Sequence, residues 1–108
     1  MKMATGLTLL CGTALALSAC GSSGSPEEFR SLLTERGIKP DHVKSVAEVD
    51  DGYAALVYVR MNCELRFTWD GDDTMKITSV NRKKLPEARG FTGKEEPGYL
   101  GAICDTDL

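Results

Sequence analysis

The run Tyr53-Ala54-Ala55-Leu56-Val57-Tyr58-Val59-Arg60-Met61-Asn62-Cys63-Glu64-Leu65-Arg66-Phe67-Thr68-Trp69 decides the fold. Tyr53, Ala55, Val57, Val59 and Met61 alternate with Ala54, Leu56, Tyr58 and Arg60. Leu65, Phe67 and Trp69 continue against Glu64, Arg66 and Thr68, so odd positions stay apolar from end to end. A side-chain period of two belongs to an extended strand with one face turned to a core, and Val, Tyr, Phe and Trp favour that surface. The alternation alone leaves one long bent strand open. Usual strand lengths place a break near Asn62, which divides the run into two strands.

Turn signals bracket the run: Asp50-Asp51-Gly52 before it and Asp70-Gly71-Asp72-Asp73 after it. Outside them, Val43, Val46, Ala47 and Val49 mark a strand over 43–49, and Met75, Ile77 and Val80 mark another over 75–81. Further upstream, Ser25-Pro26-Glu27-Glu28 opens a helix. Ser25 suits the cap, Pro26 the first helical position, and the two acids the positive helix end. Phe29, Leu32 and Leu33 recur at helical spacing, and Gly37 and Pro40 stop the helix, which spans 26–36. About three turns are too few to be stable alone, so Phe29, Leu32, Leu33 and Ile38 need a surface to pack on. One helix followed by four strands in succession predicts an α+β domain: a roughly four-stranded antiparallel sheet with the helix across one face.

The segment from Leu65 through Asp70-Gly71-Asp72-Asp73 to Ile77 is similar in pattern to the closing hairpin of cystatin-like or nuclear-transport-factor-like α+β lipoprotein domains. That resemblance implies a helix on a curved sheet, often used for binding. After Asn81 the pattern fades. Arg82-Lys83-Lys84 is followed by Pro86, Gly90, Gly93, Pro97 and Gly98, with Leu85, Phe91, Tyr99, Leu100 and Ile103 as the few apolar anchors. An irregular C-terminal tail is the expectation.

The first nineteen residues have the layout of an export signal. Lys2 is followed by an uncharged apolar stretch with Leu7, Leu9, Leu10, Leu15 and Leu17, then by small residues. The stretch is interrupted by Gly6, Gly12 and threonines, short of the roughly 20 apolar residues of a spanning helix. Leu17-Ser18-Ala19-Cys20 resembles the lipobox of bacterial lipoproteins. The resemblance implies diacylglyceryl attachment to the Cys20 sulfur, cleavage before Cys20 and acylation, for example by palmitate, of the new terminus. The alternative is an ordinary secretory signal that leaves Cys20 a plain thiol. The expected organisation is a signal peptide over 1–19, a lipidated Cys20 with a Gly/Ser tether over 20–25, and one small domain over 26–108. The covalent lipid is the one expected cofactor, and it would hold the protein to a cell membrane on the side away from the cytoplasm.

The chain carries 13 Lys and Arg against 16 Asp and Glu, a net charge of −3, and losing Lys2 with the signal makes it −4. That acidity argues against nucleic acid as a partner. With Cys11 in the signal and Cys20 lipidated, Cys63 and Cys104 remain, an even pair in an exported chain. Such a pair forms a disulfide. Metal or redox chemistry is the rival reading, but the pair has no Cys-x-x-Cys spacing and His42 is the sole histidine.

No metal site is expected at Asp70, Asp72 and Asp73. A calcium loop needs a later Glu, which the run does not have. His42 has no nucleophile partner in the sequence, so no enzyme is expected. Arg82, Lys83 and Lys84, with Arg89, Lys94 and the aromatic Tyr58, form the candidate binding surface, suited to anionic lipid heads or an acidic envelope polymer. The expected function is a non-enzymatic envelope lipoprotein that binds an envelope protein or polymer. The alternatives are a phage or prophage superinfection-exclusion lipoprotein, and a lipid-anchored small-ligand carrier or hydrolase.

Overall fold

A computed structural model describes residues 24–108. Helix α1 spans Pro26–Glu35, and a 3-10 turn at Pro40–His42 leads into the sheet. The strands are β1 Val43–Val49, β2 Gly52–Arg60, β3 Cys63–Trp69, β4 Met75–Val80 and β5 Lys83–Gly90. A short helix, α2, closes the chain at Tyr99–Cys104. The strands pair in sequence order as one five-stranded antiparallel sheet.

The helix begins where its chemistry allows. Ser25 Oγ accepts the Glu28 N–H at 3.1 Å, and Pro26 fills the first helical position. Gly24 also belongs to the fold. Its carbonyl accepts the Tyr53 hydroxyl at 2.8 Å, and a Cβ built on it would lie 2.9 Å from the Trp69 ring. The expected tether over 20–25 is therefore held at its last two residues. Cys20 and the expected signal lie outside the described residues.

One face of the sheet makes the core. Tyr53, Ala55, Val57, Cys63, Leu65, Phe67, Trp69, Met75, Ile77 and Val80 are buried against Phe29 and Leu33 of α1 and Ile103 of α2. Trp69 lies between Phe29 and Tyr53, 5.5 Å from each ring centre, and Phe91 meets Phe67 edge-on at 5.3 Å. Such aromatic contacts contribute about 0.5–1.5 kcal/mol each beyond burial.

The unbroken alternation of residues 53–69 spans a hairpin, not one strand. From Tyr53↔Trp69 to Tyr58↔Glu64 the register keeps odd residues opposite odd. Continued to the tip, it would leave a single residue to make the turn, which is too few. The register shift between Tyr58 and Arg60 sets Arg60 opposite Cys63 and leaves Met61-Asn62 as the turn. Asn62 takes the positive φ of 68° there, and Met61, apolar and odd, is 87% exposed.

The four-strand expectation is corrected by β5. Its sequence hides it because a single residue, Leu85, is buried and Pro86 interrupts the run. β5 pairs on one side only, where proline is tolerated. Between Ile77↔Arg89 and Ser79↔Lys84, one residue of β4 faces the four residues 85–88, a wide bulge that takes up Pro86. The lysines and proline of this outer strand also discourage pairing with a further strand. The expected tail is thus less irregular than its composition, since it holds both β5 and α2.

The Cys63–Cys104 disulfide is present, with a Cα–Cα distance of 5.8 Å, and fixes α2 to the start of β3. The loop before α2 is tied to α1. Arg36 donates to the Phe91 carbonyl at 2.7 Å, and Glu95 accepts the Thr92 and Gly93 N–H groups, each at 2.9 Å. Gly93 has φ 85°, and a Cβ there would lie 2.7 Å from the Arg36 Cβ. Gly93→Ala is expected to destabilise the domain by about 2 kcal/mol through backbone strain and this contact, read as a lower urea midpoint.

Candidate functional site

The helices cover one face of the sheet and leave the other open. Three rows of side chains cross the open face, each set by the strand register. Ala47, Ala54, Thr68 and Lys76 form one row, and Ser45, Leu56, Arg66, Ser79 and Lys84 the next. Tyr58 and Glu64 pair in the third.

In that third row Glu64 is buried, at 6% exposure. Its carboxylate is 3.3 Å from Lys44 Nζ and 3.4 Å from Arg82 Nε. Burial alone would push the Glu64 carboxyl up, but the hydrogen bonds and charges of Lys44 and Arg82 outweigh it and hold the group below its ordinary value. Lys44 lies 5.4 Å from the Tyr58 ring centre. Tyr58 first, and Glu64 second, raise the Lys44 ammonium above its usual range. Glu64 is pinned through its backbone as well, since its N–H donates to Asn81 Oδ1 at 2.8 Å and its carbonyl accepts from the Asn81 N–H.

The middle of the face differs in its electrostatics. Arg66 donates to Thr78 Oγ1 at 3.2 Å. Among the described residues neither Arg66 nor Lys76 has a carboxylate within salt-bridge distance, whereas Arg36, Lys44, Arg60 and Arg82 each have one. Both cations line an open groove of about 570 Å³ with Thr68, Thr74 and Thr78. Asp50, Asp51 and Asp70 gather at one end of it, beside the Trp69 edge. Asp70 is occupied with its own turn. Its Oδ1 accepts the Asp72 N–H at 2.9 Å and the Thr74 N–H at 3.3 Å, which holds the carboxyl low.

The basic cluster read from sequence divides in the fold. Arg82 turns onto Glu64, and Lys84 falls in the Arg66 row of the open face. Lys83 pairs with the inward-facing Val80, so it lies on the helix side. Arg89 is also on that side, its guanidinium 5.6 Å from the Tyr99 ring centre. Tyr58 is 42% exposed, in the same row as Glu64. Sequence reading missed Lys44, Arg66 and Lys76. For Arg66 and Lys76 the signal was a charge at an even position of β3 and β4, which alternation places opposite the core; Lys44 stands beside a register shift in β1 and had no such signal.

His42 is exposed in the 3-10 turn. Among the described residues no three His, Cys, Asp or Glu side chains are grouped to hold a metal ion, and no helix is long and apolar enough to cross a membrane.

Glu64, Asp70 and Glu95 all titrate below their ordinary values of about 4. A carboxyl depressed by folding adds stability that is full above its unfolded value and is lost as pH falls through the lower folded value. The melting midpoint is therefore expected to hold from pH 7 to about pH 5 and to fall below pH 4. Asp70→Asn, which keeps an amide oxygen for the two N–H groups but removes the charge and its titration, should flatten that acid slope when midpoints are followed by circular dichroism.

Comparison with protein-family models, with curated proteins and with solved structures finds no match.

Proposed function

We propose that this chain is a lipid-anchored lipoprotein of the bacterial envelope, whose non-enzymatic domain binds an acidic envelope partner across the open face of its sheet. The observation that carries the anchor is Leu17-Ser18-Ala19-Cys20, set four positions before Gly24, whose carbonyl accepts the Tyr53 hydroxyl. The domain suits exposure outside the cytoplasm: a small core closed by one disulfide resists unfolding where reducing systems are absent. Two or more acyl chains give stable attachment where one does not. The Arg66 and Lys76 pair supports an acidic partner, because among the described residues neither cation has a carboxylate within salt-bridge distance, whereas Lys44 and Arg82 share Glu64.

Cys20→Ala tests the anchor. In cells expressing the full chain, wild-type protein is expected in the membrane fraction and the variant in the soluble fraction. Equal membrane content for both would overturn the anchor.

A small-ligand carrier is the second reading, and the groove favours it, since about 570 Å³ falls in the range of small-molecule sites. A carrier would show saturable stabilisation by a low-molecular-weight anion. A polymer-binding face would respond to the polymer and not to its monomer.

A further inference from the structure

We propose that the Gly24 contact fixes which end of the domain meets the bilayer, with the aspartate-rich turns inward and the Tyr58–Arg82 end outward. The inference rests on Cys20 being lipidated, as proposed above. Gly24 is held by the Tyr53 hydroxyl and fits under the Trp69 ring, where a side chain would collide. It takes φ 110° and would also bring a Cβ within 3.2 Å of the Gly71 Cα. Gly24 is therefore fixed beside the turn that follows Trp69. From Cys20 to Gly24 the backbone spans four residue steps, at most about 14 Å when fully extended.

Antiparallel order assigns the turns to two ends. Asp50-Asp51 and Asp70-Gly71-Asp72-Asp73 lie at the Gly24 end. Met61-Asn62 and Asn81-Arg82 lie at the other. The seven residues of β3 separate the ends by about 20 Å. That is more than the reach of the linker, so the domain cannot invert to set its basic end on the bilayer while Gly24 stays seated. It also exceeds two Debye lengths at physiological salt, about 8 Å each, so anionic headgroups of the anchoring leaflet attract Arg82 only weakly when the sheet stands upright. In that upright pose the open face runs outward from the membrane, and its cations are presented to an acidic partner beyond the lipid surface instead of to the lipid itself.

The test places a fluorophore at position 72 or 61 through Asp72→Cys or Met61→Cys in the full lipidated chain. Both side chains are exposed, so neither change opens the core. The proteins are reconstituted into vesicles containing anionic lipid and a headgroup-bound quencher of contact range. Quenching is expected to be at least about threefold stronger at position 72 than at 61. Inserting about ten Gly/Ser residues between Ser22 and Ser23 should erase that difference by lengthening the linker beyond the sheet. Equal quenching in the native-length chain, or stronger quenching at 61, would overturn the proposal and would show the domain lying on the lipid. Failure of either protein to partition into vesicles would overturn it for a separate reason, loss of the anchor itself.

Discussion

The Cys63→Ala, Cys104→Ala double variant is expected to melt roughly 15–30 °C below the wild type. The bond joins positions 41 residues apart. In the chain-entropy treatment, closing such a loop stabilises the fold by about 4 kcal/mol, and each kcal/mol moves the midpoint of a domain this size by about 4–8 °C. Beside the bond, the end of the chain is tied by the exposed Arg60–Asp105 ion pair and by the Tyr99 hydroxyl, which donates to the Gly90 carbonyl at 2.6 Å. After β5, Phe91 and Ile103 are the buried apolar residues, with Tyr99 and Leu100 half-buried. Loss of the bond should therefore free α2 before the sheet opens. Trypsin should cut after Lys94 in the variant at temperatures where the wild type resists it, and a thiol reductant should reproduce both effects. A midpoint within about 5 °C of wild type, with Lys94 still protected, would mean that burial alone seats the helix.

The second large effect concerns the open face. Arg66→Glu with Lys76→Glu is expected to weaken binding of polyglutamate, a defined acidic polymer, at least about tenfold, equivalent to about 1.4 kcal/mol. Two attractive charges become two repulsive ones in the middle of the groove, while Lys44 and Arg82 stay paired with Glu64 and keep one net positive charge between them. The loss should be largest at low salt and shrink as ionic strength rises. Neither residue belongs to the buried core, so the melting midpoint should stay close to wild type. Unchanged binding by the double variant would exclude this face as the docking surface. Lys83→Glu makes the control: that side chain lies on the helix side at the sheet edge and should leave the affinity unchanged.

Much of this architecture can be read from residue order, and the exceptions have physical causes. The helix from Pro26, the strand Val43–Val49, the break near Asn62 and the strand from Met75 follow from periodicity, a proline and a serine at the helix start, and Asp/Gly turns. The disulfide followed from an even pair of cysteines in a chain expected to be exported. β5 was illegible because an outer strand with one buried residue carries no period-two signal, and Pro86 argues against a strand unless a bulge accommodates it. The open face was legible only in part. Of the neighbouring basic residues Arg82-Lys83-Lys84, Lys83 and Lys84 take opposite faces because adjacent positions of a strand point apart, while Arg82, in the turn before β5, folds onto Glu64. Residues distant in sequence, Arg66, Lys76 and Lys84, come together through register, and bulges between Arg66 and Phe67 and between Ile77 and Ser79 set that register. Composition carries no information about either bulge.

The account depends most on the sulfur of Cys20, and intact mass spectrometry of the protein extracted from membranes with detergent tests it directly. The expected product begins at Cys20 and carries the added mass of a diacylglyceryl group, with or without a further acyl chain, while Cys63 and Cys104 remain joined. A product that begins at Met1, or one that begins at Cys20 with an unmodified thiol, would contradict it.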